Sequence, residues 1–574
     1  MTIGKWLNEI DGRSGLAVEY KKNGDWHKLN WSEYLSKVIY LADFLEKKGL
    51  QLNQHVGLMS ATRWEWAALD LAILGSRCVC VPMYPNLSDD DLLFTINHSD
   101  VSILVIETES HRKQIERIES KLEKKVMILH LEDFDLTTEI DTSTKKAFLK
   151  KCAQINPTDL ATIVYTSGTT GQPKGAVLLH SAIVSEITES FALFGVKPAQ
   201  KALTFLPFAH VLGRIEHWGS LFNGHTLAYA ESIEKIKLNL TEVKPDFMIA
   251  VPRIFEKVYS GIMSQVETQP VKNKLFTKAL AVAKEVQVYR RTKQAIPWPL
   301  LLQFEALSRI VFSPIQKAFG GKLIFAISGG APLSPQLADF FASCGIKILE
   351  GYGLTETCAA ITVNNLSNNQ PGTVGFPIGE VQIKFAPDQE ILVKSKKCLV
   401  QYYKNPEATK ESIQNGYFAT GDIGHFTEGG FLKITDRKKD LIKTAGGKYV
   451  APQKLEGMMK QEPLISQILI HGDQKKYISA LISIEEPQIK SWADSQQISY
   501  SDVLELYQNP ALRVRIQKQI QNVNSQLASY ESIKKFEIVA DSWTVENGCL
   551  TPSLKVKRKI VEQKYAQLIM EIYE

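Results

Sequence analysis

At 574 residues the chain is too long for a single hydrophobic core, so several domains or subdomains are expected. Its 44% hydrophobic and 22% charged content is that of an ordinary globular protein. A net charge of only +5 gives no case for nucleic acid as a partner, although a pI near 8.5 is compatible with weak attraction to anionic membrane surfaces.

Seven cysteines, Cys78 and Cys80 among them but with no paired C-x-x-C sets, argue against a disulfide framework or a zinc site and point to a reducing cytoplasm. The N-terminal stretch "MTIGKWLNEIDGRSG" carries acidic residues early and no apolar core segment, so it does not read as a secretory signal. The most apolar stretch, "WAALDLAILGSRCVCVPMY", is broken by Asp70 and Arg77 and reads as a buried helix running into a strand. Any membrane association would therefore be peripheral. From 50 to 350, short apolar runs ("HVGLMS", "CVCVPMY", "SILVIE", "VMILHL", "DFMIAVP", "KLIFAISGG") alternate with amphipathic stretches, which is the α/β pattern. Residues 261–320 read mainly as helix, with "VKNKLFTKALAVAKEVQVYRR" the strongest candidate and Pro297 and Pro299 interrupting it. Between 372 and 435 the texture changes to short strands with turns. After "DRKKD" at 436–440 a smaller α/β segment runs to the end.

The run "TSGTTGQPKG" at 166–175 gathers Gly168, Gly171 and Gly175 with Thr166, Ser167, Thr169, Thr170 and Lys174. Glycine lets successive backbone N–H groups converge on one point, and hydroxyls and a lysine add donors and positive charge, so phosphate is the expected guest. A Walker A loop would need Ser or Thr after the lysine and a helix directly behind it. Here Gly175 follows Lys174, and "LATIVYT" before and "AVLL" after read as strands, so the loop is expected to join two strands.

Further on, "YGLTET" at 352–357 offers an aromatic face, a hydroxyl and a carboxylate. "ATGDIG" at 419–424 places Asp422 in an expected tight turn, "DRKKD" supplies Arg437, and "LTPSLKVKR" at 550–558 ends the last subdomain in a lysine cluster. With "TSGTTGQPKG", these resemble the ordered motifs of the adenylate-forming superfamily over nearly the whole chain. "LPFAHVLGR", "VPRIFEKVYSGI" and "SGGAPLSPQLADFF" resemble its long-chain fatty acyl-CoA synthetase branch.

The resemblance implies an α/β fold: a large N-terminal domain at 1–438, made of α/β subdomains plus a small β-rich one, and a small mobile C-terminal α/β domain at 439–574. It implies a two-step reaction with ATP, Mg²⁺ and coenzyme A, in which a fatty acid first becomes acyl-AMP. Thr166, Ser167, Gly168, Thr169, Thr170 and Lys174 would grip the β- and γ-phosphates, Thr355 the α-phosphate, and Glu356 the magnesium. Tyr352 would stack on adenine beside Gly330 and Ala331, while Asp422 and Arg437 would hold the ribose. Aligning from Leu550 puts Lys557 at the catalytic position, with Lys555 as the alternative. The resemblance places His210 and Trp218 on the acyl tunnel, the hinge at Lys439 and the coenzyme A channel near Gly446 and Gly447. Three other readings are an aminoacyl-tRNA synthetase, faintly imitated by "HVLG" at 210–213 and "KSKK" at 394–397, a ligase loading a carrier protein, and a non-catalytic nucleotide- or lipid-binding relative.

Overall fold

The computed structural model describes residues 1–166, 172–267, 270–292, 294–545, 547–551 and 555–574. Two large sheets dominate the first part of the chain. In the nine-stranded sheet, Ile348–Leu354, Phe325–Ser328, Phe247–Ala250, Lys201–Thr204, Thr226–Tyr229 and Leu16–Lys22 run parallel in that order, and antiparallel strands close both edges. Its central strands are buried on both faces, which is why they read as unbroken apolar runs. The seven-stranded sheet sets Leu160–Thr166 between Val79–Met83 and Lys174–Leu179. Thr166 pairs with Lys174 and Leu160 with Leu179 across an antiparallel hairpin. The strand–loop–strand expectation for 166–175 therefore holds, although Ser167, Gly168, Thr169, Thr170 and Gly171 lie outside the described residues.

Helices pack between and around these sheets. Trp64–Gly75 is buried over nearly its whole length, and Val211–Asn223 likewise. Proline acts as expected in the helical stretch: Pro297 is the N-cap of Trp298–Leu307 and Pro299 occupies its first turn. A five-stranded sheet built from Gln382–Phe385, Glu390–Lys394, Tyr417–Phe426, Ile413–Gln414 and Leu432–Arg437 forms the β-rich subdomain. Beyond it, Ile465–His471, Ile478–Ile484 and Ile533–Val539 make a three-stranded sheet covered by helices. Each apolar cluster of buried residues lies wholly on one side of residue 439.

One buried polar knot joins the layers. Arg214, with no exposed surface, donates to Asp70 Oδ1 at 2.5 Å and to the Thr162 hydroxyl at 2.7 Å. Its guanidinium lies 4.4 Å from the Trp218 ring and 5.5 Å from that of Trp66. Trp218 Nε1 donates to Asp70 Oδ2 at 3.0 Å. Asp70 is held down to about 2 against its own burial, chiefly by the charge of Arg214.

On the same helix Glu216 is buried without a cation, accepting from the Thr204 hydroxyl at 2.7 Å, and burial pushes its carboxyl up to about 8 from 4.5. An acid whose native pKa is raised stabilises the fold fully below the unfolded value and loses that contribution as pH rises through the native one. The large domain should thus lose stability between pH about 4.5 and about 8. Glu216→Gln should lose less over that span, because amide and protonated carboxyl are alike in charge. Urea midpoints at the two ends of this range check it: parallel declines in both proteins would show that Glu216 does not titrate there.

Candidate active site

The site forms where the parallel strands of the nine-stranded sheet end. Phe325–Ser328 runs into Gly329 and Gly330, the latter at φ +78°. In the neighbouring strand Ile348–Leu354, a Cβ on Gly353 would sit 1.5 Å from the Ala359 carbonyl oxygen, so no other residue fits this close crossing. The strand passes into the single helical turn Thr355–Thr357. Thr357 pins this turn: its hydroxyl accepts from Leu354 N at 2.8 Å and contacts the carbonyl oxygens of Leu354 and Ala359. Cys358 and Ala359 then take φ +53° and +87°, two consecutive left-handed L-residues, each costing roughly 1–3 kcal/mol that the surroundings must supply.

Glu186 and Lys397 brace that turn. Ala360 N donates to Glu186 Oε1 at 3.2 Å. Lys397, without exposed surface, reaches Glu186 at 3.0 Å, Glu189 at 3.2 Å and the Ala360 carbonyl at 3.3 Å. Within "KSKK", Lys397 is thus a buried structural cation, which removes one of the two features that suggested a tRNA synthetase.

The turn aims Glu356 toward Tyr402, whose hydroxyl donates to Oε1 at 2.9 Å. Lys174 stands over the Tyr402 ring at 5.2 Å. The short strand Gln401–Tyr402 pairs with the strand that begins at Lys174, and this brings the start of the second phosphate-loop strand to Glu356. No cluster of three or more His, Cys, Asp or Glu suited to a metal occurs among the described residues. A single carboxylate such as Glu356 fits Mg²⁺, which keeps most of its waters and shares substrate phosphates instead of occupying an all-protein cage.

Asp422 lies inside strand Tyr417–Phe426 and not in the tight turn expected for it. Its neighbours alternate between partial exposure and burial, a strand's period, and Gly421 at φ +73° supplies a local irregularity instead of a reversal. Asp422 is opposite Arg437 in the sheet register. It accepts from Arg437 Nε at 2.9 Å and from the Tyr352 hydroxyl at 2.6 Å. Tyr352, Asp422 and Arg437 are therefore one unit.

Of the two candidate lysines, Lys555 is the one gathered here. Its side chain is exposed, desolvation by the surrounding protein pulls its pKa below the usual lysine value, and the charges acting on it are Arg437, Asp422, Glu356 and Asp440. Lys557 is the N-cap of helix Arg558–Lys564, its backbone tied to Cys549, Ile560 and Val561. The bridge between Leu550 and Val556 sets this register. Residues 552–554 lie outside the described set.

His210, also within reach of Lys555, is pushed down to about 4, mainly by burial, and is therefore neutral at pH 7. Its Nδ1 accepts from Leu212 N at 3.1 Å, leaving Nε2–H as its donor. His210 borders an apolar cavity. That cavity passes Leu212, Gly330 and Tyr352 and reaches Phe191, Phe194, Phe247 and Phe325. Phe247 and Phe325 open their strands, whereas Gly329 and Gly330 follow the end of one. The cavity thus spans about four strand residues, or about 13 Å. Stacked rings close it: Phe325 lies 5.3 Å from Phe194 and 5.5 Å from Phe247.

Trp218 does not border this cavity. Its indole N–H is committed to Asp70 and its ring to Arg214, because a fully buried indole needs an acceptor. Ala331 is exposed beside Gly330, and Thr355 is half-buried next to Glu356. Lys439 is exposed in the turn 438–440 after the Arg437 strand. Gly446 and Gly447 lie in an exposed turn of the C-terminal part, closed by Gly447 N donating to the Thr444 carbonyl at 2.8 Å.

Sequence reasoning did not single out Tyr402, Thr357 or Glu186. Tyr402 belongs to none of the quoted motifs and becomes adjacent to Glu356 and Lys174 through the edge pairing of its strand. Thr357 was within a quoted motif, and its capping pattern was the available signal.

The architecture is shared with the adenylation domain of a carboxylic acid reductase from Segniliparus rugosus, solved with AMP and a co-purified carboxylic acid: TM-score 0.74 at 20% identity, covering 100% of this chain and 94% of that one. A long-chain-fatty-acid–CoA ligase of Mycobacterium bovis, FadD15, is 35% identical over 576 residues, spanning 99% of this chain and 96% of its own length. The peroxisomal long chain acyl-CoA synthetase 7 of Arabidopsis thaliana is 30% identical, over 96% of this chain and 82% of its own. The AMP-binding enzyme model matches residues 13–395, and that of the AMP-binding enzyme C-terminal domain matches 439–574. The chain belongs to the AMP-binding enzyme family.

Proposed function

We infer that this protein is an AMP-forming ligase that activates a long-chain fatty acid with ATP and transfers the acyl group to coenzyme A. The observation that carries this reading is the hydrogen-bonded unit of Tyr352, Asp422 and Arg437, with Tyr352 also lining the apolar cavity that His210 borders.

In the first step a carboxylate oxygen forms a bond to the α-phosphorus of ATP and the bond to pyrophosphate breaks. Lys555 stabilises the charge gathering between carboxylate and α-phosphate, with Thr355 beside it. Lys174 and the 166–170 loop neutralise the departing pyrophosphate. Glu356 would hold Mg²⁺, which when bound would supply further charge neutralisation there. Asp422 and Arg437 fix the ribose, and Tyr352 the adenine beside Gly330 and Ala331. His210 offers Nε2–H to the acyl carboxylate as it enters from the cavity.

In the second step the coenzyme A sulfur forms a bond to the acyl carbon and AMP leaves. Lys555 then stands where the thiol must come. The C-terminal part turns about Lys439 and brings the Gly446–Gly447 turn toward the pantetheine path, one arrangement being unable to serve both steps.

Lys555→Ala should lower pyrophosphate release by ~10²–10³-fold while still converting supplied acyl-AMP to thioester, and Lys557→Ala should leave both steps near wild type. The opposite pattern, in paired half-reaction assays, would return the role to Lys557. Tyr402→Phe frees Glu356 from its anchor and should weaken the response of the first step to Mg²⁺ by about 10-fold. Titrating the metal at saturating fatty acid reads this directly, and an unshifted midpoint would leave Tyr402 a packing residue only. Phe194→Ala opens the closed end, so the optimum should move to longer chains. Each added methylene is worth ~0.8 kcal/mol, or about 4-fold in kcat/KM, and a panel of fatty acids in which the optimum stays put would place the closure elsewhere.

A further inference from the structure

The helical stretch that gave the strongest helix signal has no part in the chemistry above, yet its composition is unlike that of the rest of the chain. Between 270 and 322 there are ten Lys and Arg against two Glu and no Asp, a net of +8 in a chain whose total is +5; the remaining residues together carry −3. Helix Pro270–Arg291 turns Phe276, Ala279, Val282, Ala283 and Val286 inward. Its outward stripe carries Val271, Leu275 and Val288 among Lys272, Lys274, Lys278 and Lys284, all exposed.

The next helix, Trp298–Leu307, turns Phe304 and Leu307 inward and leaves Trp298 73% and Leu302 57% exposed, with Arg309 exposed further on. Arg290 over the Phe304 ring, at 5.1 Å, fastens the two helices together. Exposed large apolar residues dispersed among lysines are costly in water but suit the boundary of a bilayer, where tryptophan and aliphatic groups enter the headgroup region and the cations meet anionic lipid. No helix among the described residues is long and apolar enough to cross a membrane, so this face would lie on the surface.

We propose that the outward face of Pro270–Arg291 and Trp298–Leu307 docks the protein on anionic lipid bilayers. The choice of occupant rests on charge: the two helices carry six Lys and Arg against two Glu, a net of +4, which repels a second copy of the same face and complements phosphatidylglycerol or a similar lipid. This proposal does not depend on the ligase reading.

The test is co-sedimentation with vesicles of phosphatidylcholine alone and with phosphatidylglycerol added, at low and high salt. Wild type should bind only the anionic vesicles, and high salt should release it. The triple substitution Lys272→Glu, Lys274→Glu and Lys278→Glu should reduce partitioning by about a hundredfold or more. Trp298→Ala with Leu302→Ala should reduce it by about tenfold while leaving the salt dependence in place. Both variants should keep wild-type thioester formation in the absence of vesicles, or, should no ligase activity be found in wild type, the wild-type circular dichroism spectrum. Equal binding to neutral and anionic vesicles, no binding by wild type, or undiminished binding by the triple variant would overturn the proposal. So would a sedimentation-velocity result showing self-association of wild type through this face, abolished by either variant.

Discussion

The Arg214–Asp70 pair is the constraint on which the placement of the site depends. Asp70 belongs to a helix packed on the seven-stranded sheet, Thr162 to that sheet itself, and Arg214 to the helix that begins at His210 and borders the acyl cavity. The hairpin of Leu160–Thr166 and Lys174–Leu179 belongs to the seven-stranded sheet, whereas the Tyr352–Glu356 segment extends the nine-stranded one. A nucleotide spanning both needs the two sheets in fixed register. A buried pair is poor evidence of net stability, but losing one partner leaves an uncompensated charge, so the pair specifies one arrangement.

A second buried charge cluster works on a smaller scale. Two left-handed residues, Cys358 and Ala359, end the turn that carries Glu356 and put that carboxylate on a backbone that would relax if free. Glu186 and Lys397 hold the far side of the same turn, and because the two charges neutralise each other they can border an apolar cavity. The strain is thus stored beside the reacting groups and restrained by side chains that never meet the nucleotide.

Much of this was legible in the sequence. The central strands are apolar runs because both faces of a parallel sheet are covered, and the strand–loop–strand form of 166–175 followed from a glycine after Lys174 and an apolar run behind it. What failed to show were features created by pairing between distant segments. Asp422 read as a turn because Gly421 flanks it, when the period-two burial around it decides for a strand. Counting from Leu550 favours Lys557 with Lys555 as the alternative, and the sequence does not show that the bridge between Leu550 and Val556 leaves Lys557 as a helix N-cap while the charges of Arg437, Asp422 and Glu356 act on Lys555. Trp218 is near His210 in sequence and on the same helix, but its N–H needed an acceptor and Asp70 was the one available.

The contacts between the C-terminal part and the rest are sparse and polar. Gln461 donates to the Ser334 hydroxyl at 2.8 Å, Arg253 pairs with Glu485 at 2.8 Å, and among the described residues no apolar cluster joins the two sides. Were the C-terminal part to rotate about Lys439, it would part polar contacts and divide no shared apolar cluster among the described residues. Heat-capacity change tracks exposed apolar area, so the balance between two such arrangements would carry a small one and shift little with temperature. It would respond instead to ionic strength, and one sequence could keep a similar partition of its time across a wide thermal range.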